Sequence, residues 1–257
     1  MCELYGYSGR KIRQLNTDLN TFFSHAESNP DGWGMAIFNQ GYSYMIKEKR
    51  KASKSPVLFN KIAAGISATT AIAHIRLATI GYDEYENTHP FREKDISNRQ
   101  WVMAHNGTIF EGGPIDKFMY EQKGNTDSER VLLYLIEKVN NEIKFHGRGL
   151  SSEERFKIVR DLVEELSPKN KLNLLIYDGE FLYVHCNSEN TLYYSEDEES
   201  VVIATKPVND NEWKEVELTS LWVFDKGRRV YHSRPHKQYY VPDEESIKTL
   251  FLAYSNL

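Results

Sequence analysis

Two long amphipathic segments stand side by side in the middle of this chain, residues 126–143 and 151–166, with runs of strand-like sequence before and after the pair. Each opens on a helix-start signal. Thr126 with Glu129 forms a Thr-x-x-Glu pattern, with Asp127 in the first turn. Ser151 with Glu154 repeats the pattern. Upstream, residues 3–9, 35–38, 42–47, 69–76 and 101–105 read as strands, and residues 15–26 and 56–66 carry helical spacing. Downstream, residues 172–177 and 180–185 flank Asp178-Gly179 as a hairpin. Residues 192–194, 201–204, 220–224 and 229–232 read as further strands, and the tail 244–254 as a helix. Strands and helices thus come in blocks. A doubly wound parallel sheet needs strict alternation, so the pattern predicts an α+β protein: layered antiparallel sheets with helices outside.

Composition narrows the function classes. Sixteen Tyr, 12 Phe and 4 Trp in 257 residues give enough apolar surface to offset the entropy of ordering, which excludes a disordered chain. No apolar run reaches the roughly 18 residues of a membrane span. A net charge of −5 argues against a dedicated nucleic-acid binder. No linker or repeat divides the sequence, so a single domain over residues 1–257 is expected. The start, Met1-Cys2-Glu3-Leu4-Tyr5-Gly6, lacks the basic and apolar regions of a signal peptide. Cys2 and Cys186 make no disulfide framework, and a cytoplasmic location with reduced thiols is expected. The charge runs 47–54 and 196–199 read as solvated loops.

Five segments carry residue types suited to chemistry. Cys2 becomes residue one once Met1 is removed. Its α-amine, with a pKa of about 8, is then a base tethered beside its own thiol. Arg76 ends an apolar strand, where its planar fork suits a carboxylate. Asn106-Gly107 follows a strand and can aim an amide side chain and a backbone N–H at one developing oxyanion. Asp127 is spare once Thr126 and Glu129 have satisfied the helix start. His89 lies in the polar loop Glu86-Asn87-Thr88-His89-Pro90. Taken singly, each has an ordinary structural explanation: a second-position cysteine, an ion pair, an Asn-Gly turn, an acidic first helical turn, a loop histidine. The eight histidines show no metal-ligand spacing, so no metal and no cofactor is expected.

Taken together and in their chain order, Cys2, Arg76, His89, Asn106-Gly107 and Asp127, the five segments resemble the class II glutamine amidotransferases, a branch of the N-terminal-nucleophile hydrolases. The resemblance runs from Cys2 to about Val139. Asp31-Gly32-Trp33-Gly34 and Ala204-Thr205-Lys206-Pro207 with Trp213 look like the stand-alone bacterial subgroup and extend it to about residue 215. The resemblance implies a four-layer α/β/β/α sandwich. It implies Cys2 as nucleophile on the side-chain amide of glutamine or another γ-glutamyl small molecule, through a γ-glutamyl thioester. It gives Asn106 and Gly107 the oxyanion, Arg76 the substrate carboxylate and Asp127 its ammonium, with Thr79 and His89 lining the pocket. Leu77 and Ile80 depart from relatives that carry Trp and His at those points. No stretch is left over for a synthase domain, so either the ammonia passes to a separate ammonia-accepting enzyme, or water is the only acceptor and the protein is a hydrolase of glutamine or another γ-glutamyl amide. A second reading follows from Met1: if it stays, Cys2 keeps an amide nitrogen, and the chain is a catalytically silent amino-acid-binding or regulatory protein. The oligomeric state is left open.

Overall fold

A computed structural model describes residues 2–39, 42–78 and 84–242. In chain order the elements are β1 (Glu3–Gln14), α1 (Asn16–Ser24), β2 (Trp33–Asn39), β3 (Tyr42–Glu48), α2 (Pro56–Ala64), β4 (Ser67–Ile75), β5 (Phe91–Lys94) and β6 (Gln100–Thr108). There follow α3 (Asp127–His146), α4 (Ser152–Leu166), β7 (Lys171–Tyr177), β8 (Leu182–His185), β9 (Tyr193–Glu196), β10 (Ser200–Ala204), β11 (Lys214–Glu215), β12 (Leu221–Asp225) and β13 (Arg228–His232). Among the described residues the strands form two sheets, ordered β11-β9-β10-β1-β4-β2-β3 and β13-β12-β8-β7-β6-β5, with antiparallel pairing throughout.

The period-two alternation of a strand sorts the side chains into three apolar layers. Leu4, Ile72, Val102, Ala104, Leu175 and Ile203 fill the space between the sheets. Tyr5, Tyr7, Ala71, Ala73 and Ile75 point the other way, onto Leu19, Phe22 and Phe23 of α1 and Leu58 of α2. Trp101, Met103, Leu172, Leu174 and Ile176 face Val131, Leu135 and Val139 of α3 and Val159 and Leu162 of α4. The result is the α/β/β/α sandwich. Each such buried aliphatic side chain contributes about 1.5–3 kcal/mol relative to exposure. At Gly6 of β1 the space between the sheets is narrow: a Cβ there would stand 3.0 Å from Leu175 Cδ1 of β7.

Local signals act as expected at several ends. Ser55 caps α2, its Oγ accepting from Leu58 N at 3.0 Å. Ser151 and Glu154 close a reciprocal capping box on α4. At α3 the box is only half made. Thr126 accepts from Glu129 N, but the Glu129 carboxylate turns to Lys123 N (2.9 Å) and Gly124 N (2.8 Å), holding the entering loop instead. The first strand runs on past residue 9 to Gln14, through a register shift between Ser8 and Arg13, and is exposed there. The strand Phe91–Lys94 and the 3-10 helix Gly113–Tyr120 carry no clear period and were not expected. The run 196–199 is the exposed turn between β9 and β10. The run 47–54 is not simply a solvated loop. Lys47 belongs to β3, is half-buried, donates to the Thr88 carbonyl at 2.7 Å and lies over the rings of Tyr85 and Phe91 at 4.9 and 5.3 Å. The helix expected at 244–254 lies outside the described residues, as do Thr79 and Ile80. Among the described residues no helix is long and apolar enough to cross a membrane.

Candidate active site

Strand alternation also gathers the polar residues. Cys2 shares the inter-sheet side of its chain with Leu4, Arg76 shares it with Ile72, and Asn106 with Val102 and Ala104. The β1–β4 ladder ends on the pair Glu3↔Ile75, so Cys2 and Arg76 follow one another at the same edge. Cys2 Sγ is fixed there by Leu77, accepting from its N–H at 3.3 Å and donating to its carbonyl at 3.2 Å. Burial pushes the thiol above its ordinary pKa, and the hydrogen bond from Leu77 and the nearby Arg76 charge only partly oppose this.

The facing edge belongs to the second sheet. The β6–β7 register sets Asn106 opposite Asn173, Gly107 opposite Leu172 and Thr108 opposite Lys171. Asn106 is buried, and its Nδ2 has no hydrogen-bond partner among the described residues. A buried amide donor left unpaired costs free energy, so its retention at this place calls for a use. At Gly107 any side chain would overlap the Lys171 carbonyl oxygen and His105 Nε2.

His105 points to the other side of β6 and joins the two halves of the site. Its Nε2–H donates to the Lys171 carbonyl at 3.0 Å, so Nδ1 is the acceptor for the Ser128 hydroxyl at 2.9 Å. Burial lowers the His105 pKa, partly offset by the Asp127 charge. Asp127, at the start of α3, accepts from Ile109 N at 2.7 Å through Oδ2 and from Ser128 N at 2.8 Å through Oδ1.

His89 is buried against the ring of His74, centroids 4.2 Å apart, and against Phe91 at 4.5 Å. Neither of its ring nitrogens has a hydrogen-bond partner among the described residues. Burial drives the His89 pKa well down and that of His74 to about 3, so both rings are neutral. The loop carrying His89 is tied to the α3 entrance by Asn87, whose amide accepts from Asn125 N at 2.8 Å and donates to Asn125 Oδ1 at 2.6 Å.

Cys2 stands between two cavities. One, of about 20 Å³, has Arg76, His89, Gly107 and Asp127 in its walls. The other, of about 410 Å³, is lined by Asn106, Gly107, Phe110, Lys171 and Tyr240 among others. The structure therefore brings Cys2, Arg76, Asn106, Gly107, His89 and Asp127 around one point, while Thr79 lies outside the described residues. It adds residues that sequence reasoning missed: Ser128, Lys171 and the segment around Tyr240. A lysine heading a mostly apolar strand was the available signal for Lys171; the segment after β13 has no period to reveal it. Among the described residues no three His, Cys, Asp or Glu side chains converge as a metal site requires.

A thiol flanked by a cation, a carboxylate and a buried amide donor is equipped to attack the amide of an amino-acid side chain. The family model for class II glutamine amidotransferases matches residues 1–196. An uncharacterised protein of Methanocaldococcus jannaschii is 29% identical over 262 residues, covering 91% of this chain and 72% of that protein. The predicted glutamine amidotransferase of Pseudomonas aeruginosa superposes with a TM-score of 0.63 at 22% identity, covering 90% of this chain and 100% of the other. The glutamine phosphoribosylpyrophosphate amidotransferase of B. subtilis gives 0.66 at 16% identity, over 91% of this chain and 49% of its own. At such identities the two structures speak for the fold, which they share. The match to the family model over three quarters of the sequence goes further: this chain belongs to the class II glutamine amidotransferase family.

Proposed function

We propose that the protein, once Met1 is removed, is an amidohydrolase that uses Cys2 to cleave the side-chain amide of glutamine or of another γ-glutamyl amide. The observation that carries this reading is the unpartnered, buried Nδ2 of Asn106 in the wall of the cavity that Cys2 also lines.

In this reading the freed α-amine of Cys2 takes the thiol proton and Sγ attacks the amide carbon. The carbonyl oxygen becomes an oxyanion held by Asn106 Nδ2 and the Gly107 N–H. Two donors preorganised in a water-poor gap lower the barrier more than they lower the ground state. The C–N bond breaks, and the leaving amine takes back the proton from the α-ammonium. Water then attacks the γ-glutamyl thioester, the C–S bond breaks, and glutamate and the thiol are released. Arg76 pairs with the substrate α-carboxylate and Asp127 with its α-ammonium. A zwitterion needs one cation and one anion held apart, and the two residues come from different elements, Arg76 from the end of β4 and Asp127 from the start of α3. The cavity between them holds about 20 Å³, so entry of the head group requires its walls to separate.

Release of glutamate from glutamine by Met-free protein, with a Cys2→Ala variant alongside, tests the reading. Release lost in the variant supports it. Glutamine binding without release, in protein verified by intact mass to start at Cys2, replaces it with the amino-acid-binding reading. Release that rises on adding a separate ammonia-accepting enzyme would assign the ammonia to that partner.

A further inference from the structure

The larger cavity is far bigger than ammonia requires. Glutamine releases a single nitrogen, which fills about one water-sized volume, whereas about 410 Å³ lies on the Asn106 side of Cys2. That volume falls in the range of sites built for small organic molecules. Its walls are ordered by specific bonds. The segment 233–242 returns across the second sheet through His236 N to the Thr219 carbonyl (2.8 Å) and Tyr240 N to the Asn187 carbonyl (2.8 Å). This sets the Tyr240 ring parallel to Phe110, centroids 6.0 Å apart and planes within 6°. Both stacked rings line the cavity and give it an aromatic side.

Lys171 contributes the charge. It opens β7 on the same face as Asn173 and Leu175, between the sheets, and only 7% of it is exposed. Glu189, the cavity's carboxylate, is exposed at the rim. Burial lowers the Lys171 pKa, with the Cys2 and Cys186 thiols acting against that shift. An anion beside the ammonium would favour its charged form.

Building on the amidohydrolase reading, we infer that this cavity is a leaving-group site for an amine that carries a carboxylate on a flat apolar body, the carboxylate pairing with Lys171 and the body lying on Phe110 and Tyr240. The physiological substrate class is then the γ-glutamyl amides of carboxylate-bearing amines, and glutamine is a minimal member that leaves the site unfilled. Binding energy from the remote carboxylate is usable at the reacting carbon, so it shows in kcat/KM.

Three amides test this with Met-free protein: γ-glutamyl-4-aminobenzoate, γ-glutamyl anilide and glutamine. The expected result is a kcat/KM for the aminobenzoate at least tenfold above that for the anilide. Lys171→Met should bring that ratio close to one and Lys171→Arg should restore much of it. Tyr240→Ala should lower both aryl amides relative to glutamine by about tenfold. Circular dichroism and melting establish that each variant is folded, and the Arg and Ala variants carry the test if the Met variant is not. An aryl-amide ratio near one in the wild type, or a ratio that Lys171→Met leaves in place, overturns the leaving-group site while Cys2-dependent glutaminase activity leaves the underlying reading standing. Absence of Cys2-dependent release from all three overturns both.

Discussion

Gly107 packs its α-carbon directly against the carbonyl of Lys171, with no room for a methyl group between β6 and β7. The same carbonyl accepts the His105 hydrogen bond. Gly107→Ala must therefore push the strands apart or break that bond. We expect a loss of about 1–3 kcal/mol, seen as a lower melting temperature, together with glutamate release below a hundredth of wild type. A variant that melts and turns over like wild type would mean that the two strands are looser here than the structure has them.

Asn106→Ala separates function from stability. Removing one preformed oxyanion donor costs about 10²–10³ in kcat, with KM within a few-fold. Because Nδ2 has no partner to lose, the melting temperature should stay within about 2 °C. A large fall in stability with kcat intact would move Asn106 from chemistry to architecture.

Lys47 supports the His89 loop through the Thr88 carbonyl, and burial lowers its pKa to about 8. Lys47→Met should raise KM for glutamine several-fold with little change in kcat. The stability effect depends on pH. The unfolded chain keeps the Lys47 proton up to about pH 10.5 while the folded chain loses it near 8. The unfolded state thus binds more protons between those values, and the wild type gains stability as pH rises through that window. Lys47→Met lacks that gain, so the difference in melting temperature between the variant and the wild type should shift in favour of the wild type from pH 8 to pH 10.

Acid should unfold the protein through its buried histidines. His74 and His185 are each held to about 3 by burial. Unfolded, they take a proton near 6.5, so the unfolded state binds more protons between about 6.5 and 3 and stability falls as pH drops through that range. The urea midpoint should fall steadily from pH 7 to pH 4, and His185→Gln should show a shallower fall. A flat midpoint across this range would contradict the burial of these rings.

Asp178 receives Arg155 Nε at 2.7 Å, Tyr183 Oη at 2.9 Å and two backbone N–H groups, Glu180 and Phe181, in a site with no solvent exposure. Asp178→Ala leaves Arg155 with Glu180 as its carboxylate partner and unpairs Tyr183 Oη and two backbone N–H groups, so it should cost about 2–4 kcal/mol, read from chemical denaturation. Catalysis should respond only through folding, since the turn lies at the far end of β7 from Lys171.

Much of this architecture could be read from local chemistry. The period-two strands that build the two sheets and the capped start at Ser151 depend on neighbours in sequence, and so did the turn at Asp178-Gly179, where Gly179 has φ of 87°. The residues later found around Cys2 could also be named, each sitting at an element end with a side chain its element did not need. What escaped was everything set by register and long-range packing. Glu129 looked like a capping partner, yet its carboxylate serves Lys123 and Gly124, because the loop before the helix competes for it. Lys47 looked solvated among other lysines, yet β3 carries it under Tyr85 and Phe91. Lys171 and Tyr240 meet at one cavity only after β6 has paired with β7 and the segment past β13 has folded back.

The position of β1 within its sheet has a bearing on how the protein is made. Its ladder with β4 joins residues 53 to 72 apart, from Gln14 with Ser67 to Glu3 with Ile75, but its other edge waits for β10, as in Tyr5 with Ala204. On a ribosome the first strand is finished long before that partner emerges. The amino end is thus without its second neighbour through most of synthesis, which leaves time for an aminopeptidase to trim Met1 from an open end. No fragment ending before residue 200 can complete the sheet beside Cys2, so a truncated product of translation carries Cys2 without the enclosure that the full sheet provides.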